Sequence, residues 1–322
     1  MAGKPIKILL LILVFFITAG CQDELDERIS RLQQQSQSDI LKLGEQLDKG
    51  QVRNAVILKE YVELLRKQRP ELSNVLDVLV IDSTREGPLF KSLQQRVTDA
   101  NTINNDYSSR EEQASELINL TEALNPTLFN DALSDPVNVV ADLSQGKLAR
   151  VNALSQAQSK LANAAEDFGP GSQLVGNPNY GSWVTDNNGM SMWEWFGAYL
   201  IFSTIADSIS YDRWGRYRGY SYYSDYGRYR YSTHKQRRYQ KDTWLKTKKK
   251  YSTGTHYSSP YSKSRVGASR LSTNSNQAKT TASRNYAGHK PFRQTRSTSS
   301  YSNNSSFRNS RSSTSRGISR GK

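Results

Sequence analysis

The chain has 322 residues, 36% of them hydrophobic, with 44 Lys and Arg against 30 Asp and Glu and a formal net charge of +14. Its mean hydropathy of −0.71 excludes a chain that is buried core throughout, and its single cysteine excludes an intramolecular disulfide. The charge is divided: residues 21–200 carry 26 acidic and 16 basic side chains, residues 201–322 carry 4 acidic and 26 basic, and no acidic residue follows Asp242. An acidic head and a basic tail place any anionic partner at the C-terminal end.

The first 21 residues, MAGKPIKILLLILVFFITAGC, set two lysines (Lys4, Lys7) before an unbroken apolar run over 8–17, and small Ala19 and Gly20 before Cys21. That is the pattern of a secretory signal, with a run too short for a span of about 20 residues. The segment resembles a bacterial lipoprotein signal with the lipobox Thr18-Ala19-Gly20-Cys21, Thr18 standing where that family usually carries an aliphatic residue. The resemblance implies removal of residues 1–20 and attachment of a diacylglycerol and an N-acyl chain, such as palmitate, to Cys21. At roughly 0.8 kcal/mol per buried methylene, three chains hold a protein on a membrane essentially permanently. Gln22, where an Asp would imply inner-membrane retention, implies the outer membrane facing the periplasm. The alternatives are an ordinary secretory signal with an incidental cysteine, or an uncleaved anchor.

Residues 21–168 read as helices joined by short loops. Leu25, Ile29, Leu32, Ile40, Leu43 and Leu47 recur at helical spacing before Gly50, interrupted by the polar run Gln33 to Ser36, so this helix is a short coiled coil or a spacer lifting the head off the lipid. A second helix spans about 51–68, with Ala55, Leu58, Val62 and Leu65 on one face and Pro70 closing it. Leu72 to Val80 fits a helix or a buried strand. Pro88 opens a helix with Leu89, Phe90, Leu93 and Val97. Ser108 and Ser109, each three residues before a glutamate, mark another start, and Asn125-Pro126 its end. Asp135-Pro136 opens the longest predicted helix, about 32 residues to Asp167. The expected fold class is all-α: an elongated helical bundle as the head, followed by a largely disordered, basic, low-complexity tail.

Residues 169–189, rich in Gly, Pro and Asn, read as a linker. The aromatic apolar segment 190–210 has twelve uncharged residues between Glu194 and Asp207, too few to cross a bilayer as a helix. It is a last core helix on the head, an interfacial segment seated through Trp193, Trp195 and Tyr199, or a docking site for a partner.

Residues 211–322 interleave Arg with Tyr, then run in Ser, Thr, Asn, Arg and Gly. The candidate anion-binding residues are Arg213, Arg216, Arg218, Arg228, Arg230, Arg237, Arg238, Lys248, Lys249 and Lys250, with Tyr217, Tyr220 and Tyr229 as further aromatic contacts. Arginine offers paired donors to phosphate or carboxylate, and tyrosine a face for bases or sugar rings.

No cofactor or metal is expected, and no enzyme: His234, His256 and His289 all lie in the tail, which leaves the head without the usual nucleophilic or zinc-binding sets. The composite also resembles envelope lipoproteins with a helical head and a Tyr/Arg/Ser-rich tail. The leading expectation is a lipid-anchored structural or interaction protein whose tail binds lipopolysaccharide, peptidoglycan or anionic lipid. A nucleic-acid-binding protein comes second, on extracellular DNA or, without export, on RNA. An envelope glycan hydrolase using a carboxylate pair such as Glu111-Glu112 or Glu166-Asp167 is third.

Overall fold

A computed structural model describes residues 4–102, 107–151, 153, 160 and 165–251, with side chains from Glu24 to Thr247. All belong to one unit, Met1–Gly288; a second unit, His289–Lys322, lies outside the described residues.

Helix α1 (Lys4–Asp48) runs 45 residues, about 68 Å at 1.5 Å per residue, and passes through Cys21, whose side chain is outside the described residues. It stops in a Schellman turn: Gly50 adopts φ 66°, the Gln51 amide donates to the Gln46 carbonyl (2.8 Å), and the Gly50 amide donates to Leu47 (3.1 Å). Ile29, Ile40, Leu43 and Leu47 are buried, and Leu25 and Leu32 pack against the same cluster, so the helix is built into the head from Leu25 onward. It is not a spacer. Even within the polar run, Ser36 is buried, its hydroxyl donating to the Gln33 carbonyl at 2.8 Å.

Helix α2 (Arg53–Gln68) buries the predicted face, and Arg69-Pro70 ends it in a 3₁₀ turn, Pro70–Leu72. The ambiguous run that follows is helical: α3 (Ser73–Val80), then a 3₁₀ turn over Ile81–Ser83. Helix α4 (Pro88–Asn101) begins on its proline, and α5 (Arg110–Ala123) begins on Ser109, whose Oγ accepts from the Glu112 amide at 3.2 Å. Glu112 reaches back to accept from the Ser108 amide at 2.9 Å. A Ser109→Ala change is expected to cost about 1 kcal/mol, readable as a shift of the urea midpoint with unchanged slope. Asn125 caps α6 (Pro126–Ala132) by accepting from the Thr127 amide at 2.9 Å.

The long helix from Asp135 to Asp167 is corrected. Helix α7 covers only Ser134–Leu143, after which Gln145 and Gly146 take φ of 57° and 86° and turn the chain. Asn138 then holds the returning chain through both Val151 backbone groups, at 2.7 and 3.0 Å.

Two cores result. Helices α1, α4, α5 and α6 surround the first, and α2, α3 and α7 the second. Fully buried Leu43, Leu58, Leu76, Leu117 and Leu120 each contribute about 1.5–3 kcal/mol by leaving water.

The fold is largely helical but not all-α. Strands β1 (Gly181–Thr185) and β2 (Ser191–Trp195) form an antiparallel pair with Trp183 opposite Trp193, and Ile209-Ser210 lies along β2. The predicted linker is therefore part of the folded head: Leu174 and Val175 are buried in the second core. Gly181 shows why small residues are used there, since a Cβ at this position would meet the Glu194 carbonyl oxygen at 2.2 Å. The aromatic segment packs on the head as β2 and a 3₁₀ helix (Gly197–Thr204) rather than as an α-helix, burying Trp193, Trp195, Tyr199 and Phe202. Phe196, Leu200 and Ile205 remain on its outer side.

The expectation of disorder from Tyr211 is corrected for residues 211–251. Helix α8 (Tyr211–Tyr217), a π-helical turn (Tyr223–Gly227) and helix α9 (His234–Tyr251) fold back on the head. Residues 252–322 lie outside the described residues. Tyr220, Tyr222, Tyr223 and Tyr231 close the first core in place of aliphatic side chains. Buried polar groups fix them: Asp135 accepts from the Tyr222 and Tyr223 amides and from Ser221 Oγ, at 2.7, 2.9 and 3.1 Å. Arg96, paired with Glu116 at 2.6 Å, donates to the Arg230 carbonyl at 2.5 Å, and Tyr231 Oη donates to the Ala123 carbonyl at 3.2 Å.

Candidate anion-binding groove

The folded part of the basic segment forms a groove of about 430 Å³. Its floor is α8 with its C-terminal cap residue Arg218; Tyr211, Trp214 and Arg218 follow one another at spacings of three and four and so share one face. The face rests on the second core, with the Trp183 ring 4.8 Å from Tyr211 and 5.3 Å from Trp214. Its side is the π-helical turn and the two residues that follow it, which supply Ser224, Arg228 and Tyr229. The opposite wall is α9, on which Arg237, Gln240, Lys241 and Trp244 sit at spacings of three, one and three.

Local chemistry sets these elements. Ser210 Oγ accepts from the Arg213 amide at 3.4 Å to start α8. Helix α9 starts in a reciprocal cap: Thr233 Oγ1 accepts from the Gln236 amide at 3.2 Å, and Gln236 Oε1 accepts from the Thr233 amide at 2.8 Å. Tyr239 Oη donates to the Trp183 carbonyl, and Gln240 Nε2 donates to the Gly176 carbonyl (3.1 Å) and Tyr223 Oη (2.9 Å), which clamps the wall to the hairpin and the turn.

The groove is cationic. Among the described residues that line it none is acidic, while Arg218, Arg228, Arg237 and Lys241 are all basic. Arg218 is internally matched, bonded to Asp225 at 2.7 and 3.2 Å and lying 5.2 Å from the Trp214 ring centre. Arg237 stands 3.9 Å over the Tyr229 ring. Burial pushes the Tyr211 and Tyr223 phenols above their ordinary range; Arg228 and Arg218 oppose that at Tyr211, and Arg228 and Arg237 are among the groups opposing it at Tyr223. Both phenols are thus neutral at pH 7. Buried polar atoms in the lining without a hydrogen-bond partner within the protein include Arg228 Nε, Ser224 Oγ and Gln240 Oε1.

The other predicted residues are scattered. Arg213 is exposed and bonded to Glu166 at 2.7 Å, Arg216 pairs with Asp212, and exposed Arg238 bonds to His234 Nδ1 at 3.2 Å. Arg230 is fully buried, donating to Tyr222 Oη at 3.0 Å, so it is a core residue rather than a surface anion ligand. Arg218, 6% exposed and paired with Asp225, is likewise withdrawn from open surface. The backbone of Lys248, Lys249 and Lys250 belongs to the last turns of α9; their side chains lie outside the described residues. Trp193, Trp195, Tyr199 and Tyr220 are buried in the cores, Tyr217 is exposed, and Tyr229 lines the groove. The sequence reading passed over Tyr211, Trp214, Ser224, Gln240, Lys241 and Trp244. The helical spacing on α9 and the Thr233-x-x-Gln236 cap were the available signals.

Among the described residues, no group of three or more His, Cys, Asp or Glu side chains is placed to hold a metal ion, and no helix is long and apolar enough to cross a membrane. No protein-family model, curated protein or solved structure matches the chain.

Proposed function

We propose that this chain is a lipid-anchored, non-catalytic protein of the bacterial cell envelope that holds anionic envelope polymers, chiefly lipopolysaccharide or peptidoglycan, through its basic C-terminal part. The observation that carries the reading is the groove, which brings Arg228, Arg237 and Lys241 together beside Trp214, Tyr229 and Trp244 with no acidic residue in its lining. Such a site attracts phosphate or carboxylate and offers aromatic surface to the ring that bears it.

Cys21 supplies the anchor in this reading, and α1 supplies its geometry. Leu25 and Ile29 already pack in the first core, and Asp26 pairs with Arg110 at 2.5 Å, so the head begins about one helical turn after the lipid. The head is therefore carried directly on the membrane surface.

Two measurements test the reading. Full-length protein in uncharged detergent should bind purified lipopolysaccharide, and raising salt from 50 to 200 mM should weaken that binding on the order of 40-fold for three charge contacts. Stronger binding to duplex DNA than to lipopolysaccharide at equal salt would move the function to nucleic acid. The N-terminal peptide from the membrane fraction should begin at triacylated Cys21, and Cys21→Ala should move the protein out of that fraction. A peptide still carrying Met1 would refute the anchor.

A further inference from the structure

Resting on that reading, we infer that the groove is a discrete site for one phosphorylated sugar unit, distinct from diffuse attraction between a basic chain and a polyanion. The lining leaves over donors and acceptors of distinct types. Arg228 Nε is a buried donor without a partner in the protein, and it stands with Arg237 and Lys241 where an anionic oxygen would be held. Gln240 is different. Its Nε2 is committed to Gly176 and Tyr223, which fixes the amide and leaves Oε1, buried and without a partner, as an acceptor only.

A fully ionised phosphate or carboxylate has no proton to offer that oxygen. A sugar hydroxyl does. Ser224 Oγ, also buried and without a partner, takes either role and suits a second hydroxyl. The aromatic lining fits the same ligand: Trp244 stands half-buried in the wall of a groove that Trp214 and Tyr229 also line, a surface suited to the C–H face of a sugar ring. A groove of about 430 Å³ lies within the size range of small-molecule sites. The chemistry shared by the possible sources is a hexose phosphate, either free or as one unit of an envelope glycolipid.

The test is calorimetry on full-length protein in uncharged detergent at 150 mM salt, with glucose 1-phosphate, inorganic phosphate, glucose and adenosine monophosphate as separate titrants. Glucose 1-phosphate is expected to bind with one-to-one stoichiometry, at least tenfold more tightly than phosphate or glucose. Arg228→Gln should weaken it at least tenfold. Trp244→Ala should weaken glucose 1-phosphate but leave phosphate unchanged, a split that general unfolding would not produce. Lipopolysaccharide competing with glucose 1-phosphate for the site identifies the glycolipid as the source; the lack of competition identifies the free sugar phosphate. Equal affinity for phosphate and glucose 1-phosphate would overturn the sugar assignment, and tighter binding of adenosine monophosphate would replace it with a nucleotide. Salt-sensitive lipopolysaccharide binding without any monomer binding would overturn this inference alone, whereas loss of both would sink the polymer-binding function as well.

Discussion

Asp135→Ala is expected to detach residues 218–251 from the head while α1 to α6 stay folded, at a cost of about 4 kcal/mol. The carboxylate, 2% exposed, is the common acceptor for Ser221 Oγ and for the Tyr222 and Tyr223 amides. These are the first groups of the turn that ends in the π-helical segment, and helix starts leave their amides without intrahelical partners. Alanine removes all three bonds at once, and each buried donor so stranded costs roughly 1–3 kcal/mol. The tyrosines of that turn close the first core, so their release also exposes apolar area. Trypsin cleavage at Arg228, Arg230 and Arg237 should become at least a hundredfold faster, while far-UV circular dichroism falls only by the share of the π-helical turn and α9. Glucose 1-phosphate binding should disappear with it, because the turn is one side of the groove. Cleavage at the wild-type rate would show that tyrosine packing alone holds the segment.

The head was legible where its signals are local. Ser109 with Glu112, Asn125 before Pro126, Pro88 and Gly50 each act within one helical turn, and all four ends stand where they were read. The helix predicted from Asp135 failed for a physical reason: the apolar residues after Leu143 keep a helix-compatible spacing, but that spacing does not reveal that Asn138 captures the Val151 backbone. The order in residues 211–251 was hidden by composition. Low aliphatic content and many arginines argue against a core, yet Tyr222 and Tyr231 bury as much surface as large aliphatic residues, and Arg218 and Arg230 find Asp225 and Tyr222 as partners. Carboxylates of the acidic head, above all Asp135 and Asp82, anchor segments that lie 86 to 117 residues away. Net charge divided by segment sees the opposing signs but not those meetings.

Stability is expected to fall as pH rises from about 4 to 7, opposite to the usual effect of paired surface carboxylates. Burial pushes Asp82 and Asp135 up to about 7, although hydrogen bonds to each carboxylate pull the other way. Unfolded aspartates titrate near 4. Between those values the folded chain binds more protons than the unfolded chain, so the contribution is fully present below about pH 4 and is lost as pH passes through about 7. At about 1.4 kcal/mol per pH unit, each group contributes an upper limit of roughly 4 kcal/mol over that window. Glu111 and Glu112, held low, act oppositely but only below their ordinary range near 4.5. Asp82 gives the cleaner test, because its two oxygens accept from Tyr180 Oη at 3.0 Å and Tyr199 Oη at 2.6 Å, joining the turn after α3 to the aromatic segment. Tyr199→Phe removes a donor that stabilises the ionised form, so its penalty should be larger at pH 8 than at pH 5 by about 1 kcal/mol. Asp82→Asn should flatten the slope of unfolding free energy against pH by up to one proton. Urea titrations of the three proteins from pH 4.5 to 8.5 read both effects, and a wild-type stability that rises across this range would show that Asp82 and Asp135 are ionised in the folded state throughout.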